Sequence, residues 1–121
     1  MSKKILIIDD EGSDRKAMSL ALNKAGYSEI MVADSADSGI QMAEAFSPDV
    51  ILIDVVLHQE VDGFDVCVKI KEAESIKAKI IMVTGHLDAI NVEKARKSGA
   101  DEILEKRVTF DNLAETIARL N

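Results

Sequence analysis

Apolar and polar positions along the chain fall into two alternating rhythms. Three aliphatic runs, Ile5-Leu6-Ile7-Ile8, Val50-Ile51-Leu52-Ile53 and Ile80-Ile81-Met82-Val83, have no polar interruption. Such runs are expected of strands in a parallel sheet covered on both faces. Weaker runs near Ile30–Ala33 and Glu102–Leu104 bring the expected strands to five. Between the runs, apolar residues recur at helical spacing. Met18, Ala21, Leu22 and Ala25 predict a helix capped by Ser13, reaching about Ala25 and ended by Gly26. Ala36, Ile40 and Ala43 predict a helix from about Ser35 to Phe46. Ser47-Pro48 must then turn, because the residue before proline avoids helical geometry. Further helices are expected from about Gly63 to Glu72 and from about Asp88 to Ser98, the latter closed by Gly99. A last one begins near Thr109, with Phe110, Leu113, Ala114 and Ile117 on one face.

Strands alternating with helices through short connections build a parallel sheet with right-handed crossovers and helices on both faces. Closing a barrel takes about eight βα units, so five point to an open, doubly wound α/β sheet. The common strand order 2-1-3-4-5 puts strands 1 and 3 side by side at the switch point, where ligands bind beyond the carboxyl ends of the strands.

The residues at those ends can handle a phosphoryl group. Asp9 and Asp10 follow the first run, Asp54 the third strand, Thr84 the fourth and Lys106 the fifth. Taken singly, none says much: an Asp-Asp pair can cap a helix, and a lone Thr or Lys at a strand end ordinarily carries no function. Their placement on four strand ends of one sheet gives them weight. Clustered carboxylates repel unless a cation neutralises them. A small set of hard oxygen ligands suits Mg²⁺, which often shares its shell with phosphate oxygens. A carboxylate beside that metal can be a nucleophile toward phosphorus. An ammonium and a hydroxyl nearby would bind the phosphoryl oxygens.

Composition narrows the picture. The 121 residues suit one domain with a real core, and 47% hydrophobic with 31% charged residues is ordinary for a globular protein. A formal charge of −7 disfavours direct contact with nucleic acid or an anionic membrane. The single cysteine, Cys67, lies at helical spacing among apolar residues and reads as core; it fits a reducing, cytoplasmic setting. Four aliphatic residues after Met1-Ser2-Lys3-Lys4 are too few for a signal-peptide core or a membrane span. His58 and His86 lack companions at zinc-ligand spacing and are expected to be exposed loop residues.

Ile7-Ile8-Asp9-Asp10-Glu11, Ile51-Leu52-Ile53-Asp54, Asp62-Gly63-Phe64, Val83-Thr84-Gly85, Gly99-Ala100-Asp101 and Lys106, at their mutual separations, give the chain a specific resemblance. Over essentially its whole length, 1–121, it resembles the receiver domain of two-component response regulators, with their flavodoxin/CheY-like fold. The resemblance implies that Asp54 accepts a phosphoryl group from the phosphohistidine of a sensor histidine kinase or histidine phosphotransfer protein. It implies Mg²⁺ held by Asp10, Asp54 and the backbone carbonyl of Val56, with Asp9 acting largely through a metal-bound water. Thr84 and Lys106 would contact the phosphoryl oxygens. Their movement would carry the signal to a downstream protein target or output domain, making the chain a signalling protein rather than an enzyme acting on an external substrate. A stand-alone regulator and the receiver of a longer protein are both expected readings.

Three positions depart from that family. Arg107 stands where a proline usually follows the lysine, so the Lys106–Arg107 peptide is expected to be trans and its loop differently shaped. Ile103 replaces the aromatic switch residue. The loop from Val55 to Gly63 is one residue longer than usual and lacks its proline, and Val56 cannot orient a water for hydrolysis, so slow loss of the phosphoryl group is expected. These departures keep a second reading open, a pseudo-receiver acting as an interaction module without phosphorylation. A third, a small Mg²⁺-dependent phosphohydrolase, is disfavoured because the short loops offer no pocket for an organic substrate.

Overall fold

All five apolar runs hydrogen-bond side by side as parallel strands, in the expected order. The computed structural model describes residues 3–107 and 109–120. In chain order the elements are β1 (Lys4–Ile8), α1 (Gly12–Lys24), β2 (Glu29–Ala33), α2 (Ala36–Phe46), β3 (Val50–Asp54), α3 (Gly63–Glu72), β4 (Lys79–Thr84), α4 (Ala89–Ser98), β5 (Glu102–Glu105) and α5 (Leu113–Arg119). The sheet order is β2-β1-β3-β4-β5. Ile8 pairs with Ile53, and Asp54 with Val83, so the carboxyl ends of β1, β3 and β4 finish nearly level.

The uninterrupted runs exist because both sheet faces are covered. On one face Leu6, Ile8, Ile51, Ile53, Ile80 and Met82 meet α2, α3 and α4 residues such as Ala43, Phe64, Cys67 and Ala95. On the other, Ile5, Ile7, Leu52, Ile81 and Val83 meet Met18, Leu22, Leu113 and Ile117 from α1 and α5. β2 lies at an edge, which explains its weaker apolar signal: Met31 and Val32 remain exposed. Cys67 is fully buried, as read from its spacing, and its Sγ donates to the Ser98 carbonyl at 3.4 Å.

Helix starts follow their capping chemistry where it exists. Ser35 accepts from the Ser38 amide, Asp88 from the Asn91 amide, and Asp62 with Asp65 forms a reciprocal capping box. Two starts differ from the expectation. Ser13 does not cap α1; the cap is Glu11, without a side-chain bond, and Ser13 lies inside the first turn. α5 begins at Leu113 rather than near Thr109. Phe110 adopts a left-handed φ of 50°, which interrupts a helical path, yet its ring is buried with Leu113 and Ile117.

Candidate functional site

Because β1, β3 and β4 end level, the polar residue after each apolar run emerges into one crevice. Asp9, Asp10 and Asp54 each offer a carboxylate oxygen within 4.8 Å of the others. Asp9 is completely buried and its groups are engaged: its amide donates to the Ala33 carbonyl, Oδ1 accepts from the Glu11 amide at 2.9 Å, and Oδ2 meets Lys106 Nζ at 3.2 Å. Asp54 is 6% exposed, and its Oδ1 accepts from the Val56 amide at 3.3 Å. Val56 itself is exposed, while its neighbours Val55 and Leu57 are buried and anchor the loop.

The carboxylates in this crevice repel one another, and Lys106 offsets that only in part. Burial, and then the Asp9 charge, push the Asp54 carboxyl up to about 6, against the opposing pull of Lys106. Asp10 Oδ1 is buried without a hydrogen-bond partner among the described residues. A buried carboxylate oxygen left unpaired is costly and suits an electropositive ligand. Three hard oxygen donors converging around such an atom suit a divalent cation such as Mg²⁺.

Lys106 reaches this cluster even though Arg107 follows it. The Lys106–Arg107 peptide is trans, as expected. The loop is held by the Lys106 amide on the Thr84 carbonyl (2.7 Å), the Phe110 amide on the Arg107 carbonyl (3.0 Å) and Asn112 Nδ2 on the Glu105 carbonyl (3.1 Å). Lys106 Nζ lies 2.7 Å from Asp14 Oδ2, 3.2 Å from Asp9 Oδ2 and 3.3 Å from Asp54 Oδ2. Burial alone would lower its pKa, but the Asp14 hydrogen bond and the surrounding carboxylates outweigh that and raise it, so the ammonium stays charged.

Thr84 is buried at the end of β4 but its hydroxyl is turned to the following loop: Oγ1 donates to the His86 carbonyl at 3.1 Å and accepts from the His86 amide at 3.2 Å. Ile103 is half-buried against the core. His58 and His86 are exposed, as expected. His58 has a further contact that its sequence position did not disclose: at a left-handed φ of 54°, its Nδ1 meets Asp10 Oδ2 at 2.8 Å. That hydrogen bond, and the Asp10 charge behind it, raise the His58 pKa. Asp14 was likewise not singled out by the sequence, because a polar residue in the first turn of a helix is common without any role.

Residues 5–118 match the family model described as the response regulator receiver domain. The chain belongs to the response regulator receiver family. Among its relatives, the transcriptional regulatory protein AfsQ1 of Streptomyces coelicolor is 34% identical over 86% of this chain and 44% of its own length. The alkaline phosphatase synthesis transcriptional regulatory protein PhoP of Bacillus subtilis is 30% identical over 88% of this chain and 43% of its own. The receiver thus spans less than half the length of these curated relatives. A solved structure of the Vibrio cholerae chemotaxis protein CheY4 superposes with a TM-score of 0.91 at 26% identity, covering all of both chains. The family's sheet order, 2-1-3-4-5 with helices on both faces, is the one described above. Among the described residues no helix of this receiver is long and apolar enough to cross a membrane.

Proposed function

We propose that this receiver is phosphorylated on Asp54 and signals through protein contacts. The observation that carries the reading is the convergence at Asp54: Asp9 and Asp10 within 4.8 Å on one side and Lys106 Nζ 3.3 Å away on the other. In the reaction, an Asp54 carboxylate oxygen attacks the phosphorus of a phosphohistidine. The P–N bond breaks, its electron pair returns to the imidazole nitrogen, and that nitrogen takes up a proton. The donor would be a sensor histidine kinase or a histidine phosphotransfer protein. Asp10, Asp54 and the Val56 carbonyl would hold Mg²⁺, with Asp9 close by. Bound there, the cation would neutralise the carboxylates and the incoming phosphoryl oxygens. Lys106 and the Thr84 hydroxyl would bind those oxygens, and the new charge would bias a two-state equilibrium in the surrounding loops. The transcriptional role named for the relatives belongs to proteins more than twice as long, and for this chain an output domain or separate target protein is part of the proposal.

The test is incubation with Mg²⁺ and a small phosphodonor such as acetyl phosphate. The expected product is an acid-stable, base-labile adduct at Asp54 that is absent from Asp54→Asn and in the presence of chelator. Equal labelling of Asp54→Asn would place the acceptor elsewhere. No labelling of the wild-type chain would favour the pseudo-receiver, and turnover of unrelated phosphate esters would favour the phosphohydrolase.

A further inference from the structure

The shortest contact of Lys106 is not to the acidic cluster but to Asp14, in the first turn of α1. Nζ to Asp14 Oδ2 is 2.7 Å, against 3.2 Å to Asp9 and 3.3 Å to Asp54. An ammonium has three N–H donors; Asp14 and Asp9 each accept one, and Asp54 Oδ2 faces the ammonium as an ion pair. The Lys106 side chain is only 17% exposed, so water offers it little alternative. A phosphoryl group on Asp54 carries its oxygens beyond the carboxylate, so for Lys106 to follow them its hydrogen bond to Asp9 or Asp14 must lengthen. Asp9 is fully buried and fixed by the Glu11 amide, whereas the Asp14 side chain is 32% exposed and can be hydrated when released. Release of Asp14 is therefore the cheapest way to free a donor.

We propose that Asp14 is a positioning residue that competes with the phosphoryl group for Lys106, holding the ammonium toward α1 while Asp54 is unmodified and yielding it when Asp54 is phosphorylated. This rests on the phosphoacceptor reading of Asp54. In the unmodified chain Asp14 shares the ammonium with Asp54, whose Oδ2 stays 3.3 Å from it. In the phosphorylated chain Asp14 weakens the phosphoryl–lysine contact. Asp14 thus limits how firmly the modified state is held. The same pair ties α1 to the β5–α5 loop, so its release is also a local movement at that junction.

The probe is beryllofluoride, a phosphoryl analogue, titrated with Mg²⁺ into the full chain by calorimetry, with thermal melts to confirm that each variant is folded. Asp14→Asn and Asp14→Ala are expected to bind about three- to tenfold more tightly than wild type, the scale of one partly buried charge-assisted contact. Asp14→Glu, which restores a carboxylate, should return affinity toward wild type. Glu11→Gln removes the same unit of charge from an exposed side chain beside Asp10 that makes no contact with Lys106. It should change affinity much less. If Asp14→Asn binds no more tightly, or Glu11→Gln matches its gain, Asp14 acts only through the general field and the proposal is wrong. A wild-type chain that binds no beryllofluoride sinks the phosphoacceptor reading and the Asp14 role with it. Wild-type binding with no gain in Asp14→Asn sinks the Asp14 role alone.

Discussion

Gly63 presses its α-carbon against the main-chain carbonyl of Asp54, so closely that a β-carbon there would overlap the carbonyl oxygen and come within 3.0 Å of Met82 Cε. The two segments are joined by the Gly63 amide on the Val55 carbonyl at 2.8 Å. Backbone cannot yield as a flexible side chain does, so Gly63→Ala must shift either the end of β3 or the start of α3. A cost of about 1–3 kcal/mol is expected in denaturant unfolding. Cation affinity should fall as well, because the displaced backbone carries the Asp54 carboxylate. Unchanged stability in Gly63→Ala would mean that the close approach relaxes freely.

Asp101 closes the β4–α4–β5 corner far from the acidic cluster. Its Oδ2 accepts from the Ile80 amide at 2.8 Å and from Lys71 Nζ at 3.0 Å. Burial pulls its pKa up, but the Ile80 amide and Lys71 outweigh burial and leave it below the ordinary carboxylate value. A carboxyl held lower in the folded chain than in the unfolded one stabilises at pH above its unfolded value, and that contribution is lost as pH falls through the folded value. Asp101→Asn should cost about 1–2 kcal/mol at pH 7. The deficit should shrink below about pH 4, where the unfolded carboxylate protonates and then the folded one. Urea melts of both proteins at neutral and acid pH decide this; a deficit that does not change with pH would assign the effect to packing.

Asp54 obeys the opposite sign. Burial and Asp9 make its ionised form unfavourable in the folded chain, and Lys106 keeps two other carboxylate partners if Asp54 is neutralised. In chelator at pH 7.5, Asp54→Asn should therefore melt higher than wild type. About 1 kcal/mol corresponds to roughly 3–6 °C for a chain of this size. Addition of Mg²⁺ should raise the wild-type Tm and leave Asp54→Asn nearly unchanged. A variant that melts below wild type in chelator would show that the Lys106–Asp54 pair outweighs the repulsion.

The sequence made the sheet and most of the acidic crevice legible for one physical reason. The middle of a strand buried on both faces is apolar throughout, so the first polar residue after Ile8, Ile53 or Val83, itself buried, marks the carboxyl end of the strand. Lys106 follows the same logic more weakly, because edge strand β5 is only half-buried. Contacts made across the fold by surface residues left no such mark. Asp14 and His58 sit in polar stretches where any neighbour was possible, and only the folded chain brings them to Lys106 and Asp10. The start of α5 was misread because Phe110 has the right spacing for a helical face but reaches the core from a left-handed residue before the helix.

The Thr84 hydroxyl, at the end of β4, is tied to the His86 loop that leads into α4. The Thr84 hydroxyl donates to the His86 carbonyl, so it can donate to a phosphoryl oxygen only by leaving that carbonyl. The carbonyl is not stranded, because Asn91 Nδ2 in the first turn of α4 also donates to it at 2.9 Å. Reorientation of one hydroxyl is thereby felt at the helix. Beryllofluoride with Mg²⁺ should shift the backbone amide resonance of His86 and the side-chain amide of Asn91 in NMR spectra. Thr84→Val keeps the shape and removes the donor; its beryllofluoride affinity should fall about five- to tenfold, the worth of one hydrogen bond. The Asn91 shift should also be lost in that variant even at saturation. If Thr84→Val binds as tightly as wild type and moves Asn91 equally, the hydroxyl does not carry the signal, and α4 must sense the phosphoryl group through another contact.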